Sequence, residues 1–191
     1  MEVAYVDGAI ELLEKANANL EPELLPAPAA RKLLAAYAKV QKLGAFGVTA
    51  LTRKVDDAAE VARVTGTSMG KAKETVNTGK VLGSSAELSG ALQHGDISLD
   101  QASEIAKAEE SCPGAAADLL KLAEEEAFHV LKDKARKVKL EAEQHRGLAN
   151  RQHKARCARS YSDELGMVNV HLALEPHVGT PLVARAEAEA Q

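Results

Sequence analysis

The sequence predicts a mainly α-helical fold: a multi-helix domain with a helix-turn-helix-like hairpin, one long helix, and a short β element near the C-terminus. Three observations predict it. Alanine supplies 36 of the 191 residues, and with leucine, glutamate and lysine it crowds out the β-branched and aromatic residues a sheet needs. Apolar residues recur at steps of three and four along most of the chain, the spacing of one helix face. Only Met167, Val168, Val170, Leu172 and Leu174 approach the alternation of a strand. The hydrophobic share of 46% and charged share of 27% exclude an intrinsically disordered chain. With no tryptophan, and aromatics limited to Tyr5, Tyr37, Tyr161, Phe46 and Phe128, the core must be built from small aliphatic side chains.

The first helix is expected from about Val3 to Leu20, with Val6, Ile10, Leu13 and Ala16 or Asn17 on one stripe. The prolines between Glu21 and Pro28 interrupt it. A longer helix follows from Ala29 through Leu33, Leu34, Tyr37, Val40 and Leu43, with Gly44 and Gly47 as bending points before Leu51. Asp56-Asp57 starts a third helix that reaches Val64; Gly66 closes it and Ser68 caps the next.

Helix, glycine turn and helix form the outline of a helix-turn-helix. Ala62 stands at the small position four residues before the turn glycine, and Ala72 or Val76 at the buried position of the second helix. Lys71 and Lys73 then lie on the second helix as candidate phosphate contacts; the bland reading is an αα-hairpin with solvated lysines. The run Gly-Thr-Ser-Met-Gly-Lys at Gly66 to Lys71 is not a phosphate-binding loop. It has one residue too few between its glycines, and Ala72 stands where a metal-binding hydroxyl is required.

Two capping boxes, Ser84 with Glu87 and Ser98 with Gln101, start two short helices separated by a tight corner at Gly95-Asp96-Ile97. From Gly114 the periodicity of Leu120, Ala123, Ala127, Leu131, Ala135 and Val138 predicts a helix of about 30 residues, roughly 45 Å long, fading at Arg146-Gly147. A helix of that length must protrude or pair. A basic stretch, Leu148 to Arg159, precedes the β segment, for which Tyr161 to Glu164 is the expected hairpin partner. Pro176 or Pro181 begins a closing helix still strongly helical at Gln191, as if the chain were cut there. The expected organisation is an N-terminal helix and Pro-rich linker over 1–28, a bundle with the helix-turn-helix-like segment over 29–112, a long basic helical region over 113–160, and the β element and start of a helix over 161–191.

Charge is distributed unevenly. Lys132 to Arg159 carries a local +7 inside a chain of net −4, leaving −11 elsewhere. A basic strip in an acidic protein is what phosphate docking needs, although a solvated basic helix face gives the same count. The candidates are Lys134, Arg136, Lys137, Lys139, Arg146, Arg151, Lys154, Arg156 and Arg159, joined by Lys71 and Lys73. No segment approaches the roughly 20 apolar residues that span a bilayer, and the acidic opening lacks the form of a secretion signal, so a cytoplasmic protein is expected.

Cys112 and Cys157 are too few and too far apart for a disulfide scaffold. His153 and Cys157, four residues apart, with His145 eight residues earlier, are candidate metal ligands. The surrounding cations and missing carboxylates favour plain surface side chains. His171 reads as a solvent-facing strand residue, and Glu124 to Glu126 as a solvated charge run.

Taken in order, several stretches form a recognisable series. They are Gly66-x-Ser68; Ala-Leu-Gln-His-Gly-Asp-Ile-Ser at Ala91 to Ser98, followed by Gln101-Ala102; Leu119-Leu120-x-x-Ala123; Arg156 to Arg159; Gly166-Met167; and Leu174-Glu175-Pro176 with Gly179. The series resembles the domain of unknown function 222, common in high-GC Gram-positive bacteria upstream of an HNH endonuclease module, over roughly residues 30 to 191. The resemblance implies a mobile-element or repeat-associated HNH-type protein whose metal-dependent cutting module lies beyond Gln191. Any divalent metal would belong to that module. The six histidines here form no adjacent pair, so the resemblance carries over no catalytic residue and no cofactor.

The function expected is a non-catalytic region that helps such a protein engage DNA, weakly and with strong salt dependence. The alternative is a helical protein-interaction or oligomerisation scaffold without DNA contact, pairing through the long helix, with a homo-oligomer as its natural form. A stand-alone enzyme lacks its catalytic constellation.

Overall fold

The computed structural model describes residues 2–144 and 147–189, and it is mainly α-helical with one antiparallel hairpin near the C-terminus. In chain order the described helices are α1 (Glu2–Ala18), α2 (Ala27–Val55), α3 (Ala58–Thr65), α4 (Met69–Leu82), α5 (Ala86–Gln93), α6 (Leu99–Ser111), α7 (Ala116–Glu125), α8 (Phe128–Gln144) and α9 (Leu148–Lys154). The strands β1 (Cys157–Ser162) and β2 (Val168–Ala173) and the helix α10 (Pro176–Glu189) complete it. A single 3-10 turn, Pro22–Leu24, lies between α1 and α2. No described helix is long and apolar enough to cross a membrane.

Local capping chemistry sets most boundaries. The Asp57 carboxylate accepts from the amides of Ala59 and Glu60, and Gly66 closes α3 at φ +66°. Ser68 caps α4 by accepting from Lys71 N. At α6 the full box forms: Ser98 Oγ accepts from Gln101 N at 3.2 Å, and Gln101 Oε1 accepts from Ser98 N at 2.8 Å. The corner before it is a Schellman turn. Gly95, at φ +67°, donates to Leu92 O, and Asp96 N donates to Ala91 O.

One cap shifts by a residue: Ser85, not Ser84, caps α5, accepting from Leu88 N, while Ser84 Oγ turns back to Val81 O. Helix α2 starts two residues earlier than expected, because Pro28 in its first turn needs no amide partner, and it runs through Gly44 and Gly47 without ending.

The core lies among α4 to α8. Leu88, Leu92, Ile97, Ile105, Leu119 and Leu131 are fully buried there, packed with alanines of α6, α7 and α8. A smaller cluster, Val61, Ala72 and Val76, holds α3 on α4. Helix α2 crosses α4 at Gly79, where an added Cβ would lie 2.6 Å from Thr49 O. Thr49 and Thr52 are buried at that crossing without loss, since their hydroxyls donate to Ala45 O and Thr49 O.

The helix expected from Gly114 to Arg146 is two helices. Glu126 is extended, with φ −119° and ψ 161°, and α8 turns back so that Leu131 and Ala135 enter the same core as Leu119 and Ala123. Three consecutive glutamates at the negative end of α7 oppose its continuation. Gln101 Nε2 satisfies one of its last carbonyls, Ala123 O, at 3.0 Å. The core therefore runs across the boundary expected at residue 113, and the 45 Å rod does not form.

The hairpin partner also begins earlier than expected, at Cys157, pairing Cys157 with Ala173 and Tyr161 with Asn169. Asp163 shapes its turn by accepting from the amides of Leu165 and Met167, with Asn169 Nδ2 on its other oxygen. The Met167 amide first, and then Asn169, hold that carboxyl below its ordinary range. Helix α10 starts at Pro176 and contains Pro181.

Candidate nucleic-acid interface

The helix-turn-helix-like hairpin is α3 and α4, with Ala72 and Val76 buried between them as expected and Ala62 at their edge. Helix α4 also packs on α2 and α6, which leaves it a narrow solvent stripe of Gly70, Lys73, Asn77 and Lys80.

The two candidate lysines of α4 part company. Lys71 ion-pairs with Asp100 and lies 3.5 Å from Glu74; its hydrogen bond to Asp100 raises its pKa. Its charge is already engaged by α6. Lys73 is exposed on the open stripe. Lys80 and Asn77 share that stripe at helical spacing and escaped the sequence reading, and Lys80 is drawn towards Asp56 at 2.9 Å.

The basic strip is divided among three elements. Lys132, Lys134, Arg136, Lys137 and Lys139 lie on α8, Arg151 and Lys154 on α9, Arg156 directly before β1, and Arg159 within β1, opposite His171. Arg146 lies outside the described residues. On α8, the buried line of Leu131 and Ala135 fixes where the charges point. Lys132, Arg136 and Lys139 fall on one flank, spaced i, i+4, i+7, and Lys134 and Lys137 on the other.

The first flank borders a shallow concavity of about 300 Å³ with Arg151, shared with Glu104, Asp133 and Glu143. Arg151 is held by Glu143 at 3.2 Å. Among the described residues, none of the five α8 cations lies within ion-pair distance of a carboxylate. Three lysines elsewhere in the bundle are used inside the fold: Lys39 by Asp96, Lys71 by Asp100, and Lys107 by Glu74 and Glu104. Lys132 belongs with the α8 cations, and its spacing with Arg136 and Lys139 was a signal the sequence carried.

The pairing of His153 with Cys157 does not form. Helix α9 ends at Lys154 and Cys157 opens β1, so the two share no helix face. His153 instead bridges two elements, its Nδ1 2.8 Å from Glu175 Oε1 and its Nε2 2.8 Å from Arg156 Nη2. Because arginine is only a donor, Nε2 accepts and Nδ1 carries the proton given to Glu175. His177 Nε2 stands 3.5 Å from the other Glu175 oxygen. No group of three ligand-type side chains suited to a metal occurs among the described residues, and His145 lies outside them. His171 is exposed on β2, and Glu124 to Glu126 are exposed at the C-terminal end of α7.

Comparison of the chain with protein-family models, with curated proteins and with solved structures finds no match.

Proposed function

We propose that this chain is a non-catalytic DNA-engaging region, of the kind that precedes an HNH-type cutting module, and that α8 is its main phosphate-docking element. The observation that carries the reading is the set of five α8 cations, four of them exposed and Lys139 half-buried, without carboxylate partners among the described residues. Charges that stabilise a fold find counter-charges within it, as Lys39, Lys71 and Lys107 do. Those on α8 remain open to an external polyanion.

Their placement on both flanks of one helix suits α8 lying along a groove, with one phosphate backbone on each side. Its 17 residues span about 25 Å, room for several phosphates on each strand. Arg151 and Arg156 contribute less, since Glu143 and His153 already hold them. Lys154, Arg159 and Lys73 remain as peripheral contacts, and Lys71 as a structural residue.

The test is anisotropy of a labelled duplex at low salt. Replacing Lys132, Arg136 and Lys139 with alanine should weaken binding more than replacing Arg151 and Arg156. The reverse order would overturn the assignment to α8.

A further inference from the structure

We infer that His153 is a proton-operated latch on Arg156: the neutral ring holds the guanidinium, and the protonated ring releases it as a further phosphate contact. The latch stands on side-chain geometry, and only its effect on DNA rests on the proposed DNA-engaging role.

Three residues meet at the open end of the hairpin. Cys157 pairs with Ala173, so Arg156, one residue before the first, and Glu175, two residues after the second, are brought to the same end. The last turn of α9 supplies His153. Glu175 is the fixed member. Its side chain is only 16% exposed, and its carbonyl accepts from Gly179 N at 2.8 Å in the first turn of α10. His153 Nδ1 lies 2.8 Å from Glu175 Oε1. The Arg156 guanidinium is held by His153 twice, its Nε donating to His153 O at 3.0 Å and its Nη2 to His153 Nε2 at 2.8 Å.

The bond to Nε2 exists only while that nitrogen keeps its lone pair. Histidine is the side chain that ordinarily gains a proton between pH 8 and pH 5. Once Nε2 is protonated it becomes a donor, so two N–H groups and two positive charges face each other at 2.8 Å, and one partner must leave. The ring stays, because its bond to the ionised Glu175 becomes charge-assisted on both sides. Arg156 leaves, because it is exposed and no carboxylate lies within ion-pair distance of it among the described residues. The neighbouring charges do not reverse this order. His177 Nε2 faces the far oxygen of Glu175 at 3.5 Å; on α9 itself, Arg151 is turned to Glu143 and Lys154 is exposed. The bond from Arg156 to the ring is therefore complete at alkaline pH and is lost as pH falls.

Nitrogen-15 NMR of the full chain without DNA tests the latch. At pH 7.5 the His153 ring should carry its proton on Nδ1, and the Arg156 Nε–H should be as ordered as the backbone. At pH 5 its order parameter should fall below about 0.6. His153→Gln, which cannot be protonated, should give one Arg156 order parameter at both pH values, whereas His177→Ala should respond as the wild type does. Titration of a labelled duplex then reads the docking role. Between pH 7.5 and pH 5 the slope of log K against log salt should steepen by about one unit more for the wild type than for Arg156→Ala, the increment of one phosphate contact. A proton on Nε2 at pH 7.5, an Arg156 equally ordered at both pH values, or a response that survives His153→Gln would overturn the latch, whatever the duplex does. An opening latch with equal slope changes in wild type and Arg156→Ala would overturn its role in docking. No duplex binding at either pH would overturn that role together with the proposed DNA engagement, the latch itself being decided by the NMR.

Discussion

Glu74 is the structural hub between α4 and α6, and Glu74→Gln should destabilise the fold in a pH-dependent way. Its carboxylate accepts from Ser103 Oγ at 2.6 Å and Lys107 Nζ at 2.5 Å, with Lys71 Nζ at 3.5 Å. Burial pushes the carboxyl up, but the bonds from Lys107 and Ser103 and the charges of Lys107 and Lys71 outweigh it, lowering the pKa from an ordinary 4.5 to about 2. At 1.36 kcal/mol per unit that shift has an upper value of about 3.4 kcal/mol; with the side chain 27% exposed, solvent screening brings it to about 2 kcal/mol.

The contribution belongs to the ionised group. It is complete above the unfolded value near 4.5 and is lost as pH falls from there through the folded value of about 2. Thermal melts followed by circular dichroism should therefore place Glu74→Gln roughly 4–8 °C below the wild type at neutral pH. The gap should shrink below pH 4.5 and close near pH 2. A variant as stable as the wild type at neutral pH, or a deficit that does not change with pH, would refute the argument.

Three further outcomes are expected. Gly79→Ala should lower stability by about 1–3 kcal/mol in chemical denaturation, because the new methyl meets the Thr49 carbonyl and the Thr52 hydroxyl at the crossing of α2 and α4; a neutral result would mean the helices are not in that close contact. Gln101→Glu keeps the acceptor for Ser98 N but loses the donor to Ala123 O, so it should cost about 1 kcal/mol, similar to Ser98→Ala, in the same assay. Supercoiled plasmid incubated with the purified chain and magnesium, manganese or zinc should remain uncut, and nicking that disappears on His153→Ala would make that histidine a site residue.

The caps were legible because they are local chemistry. Asp57, Gly66, Ser68, Gly95 and the Ser98–Gln101 box each work within five residues of themselves, and the structure uses all of them. The Ser84/Ser85 slip is what two adjacent serines allow. What the sequence could not show was tertiary. The three-and-four spacing from Leu120 to Val138 continues unbroken through Glu126, and the reason to turn there is a core that gathers Leu119 and Leu131 from both sides.

The strand at Cys157 was hidden by its basic neighbours, which have no strand alternation to betray them. At the candidate interface the limit is similar. Lys71 and Lys73 look alike in sequence, and only Asp100, 29 residues from Lys71, separates them. Lys132, Arg136 and Lys139 needed no structure to be grouped, since their spacing alone places them on one helix face.

The central claim, that α8 presents its open cations to DNA phosphates, is tested most directly by a salt titration of duplex binding for the wild type and for a chain with Lys132, Lys134, Arg136, Lys137 and Lys139 all replaced by alanine. About five phosphate contacts predict a slope of log K against log salt of roughly −4 to −5 and an affinity near the micromolar range at physiological salt. The five-residue variant should bind with a slope several units shallower while keeping a melting temperature close to the wild type, because none of the five is ion-paired with the fold among the described residues. No binding by the wild type at low salt, or a slope indifferent to the five replacements, would contradict the account.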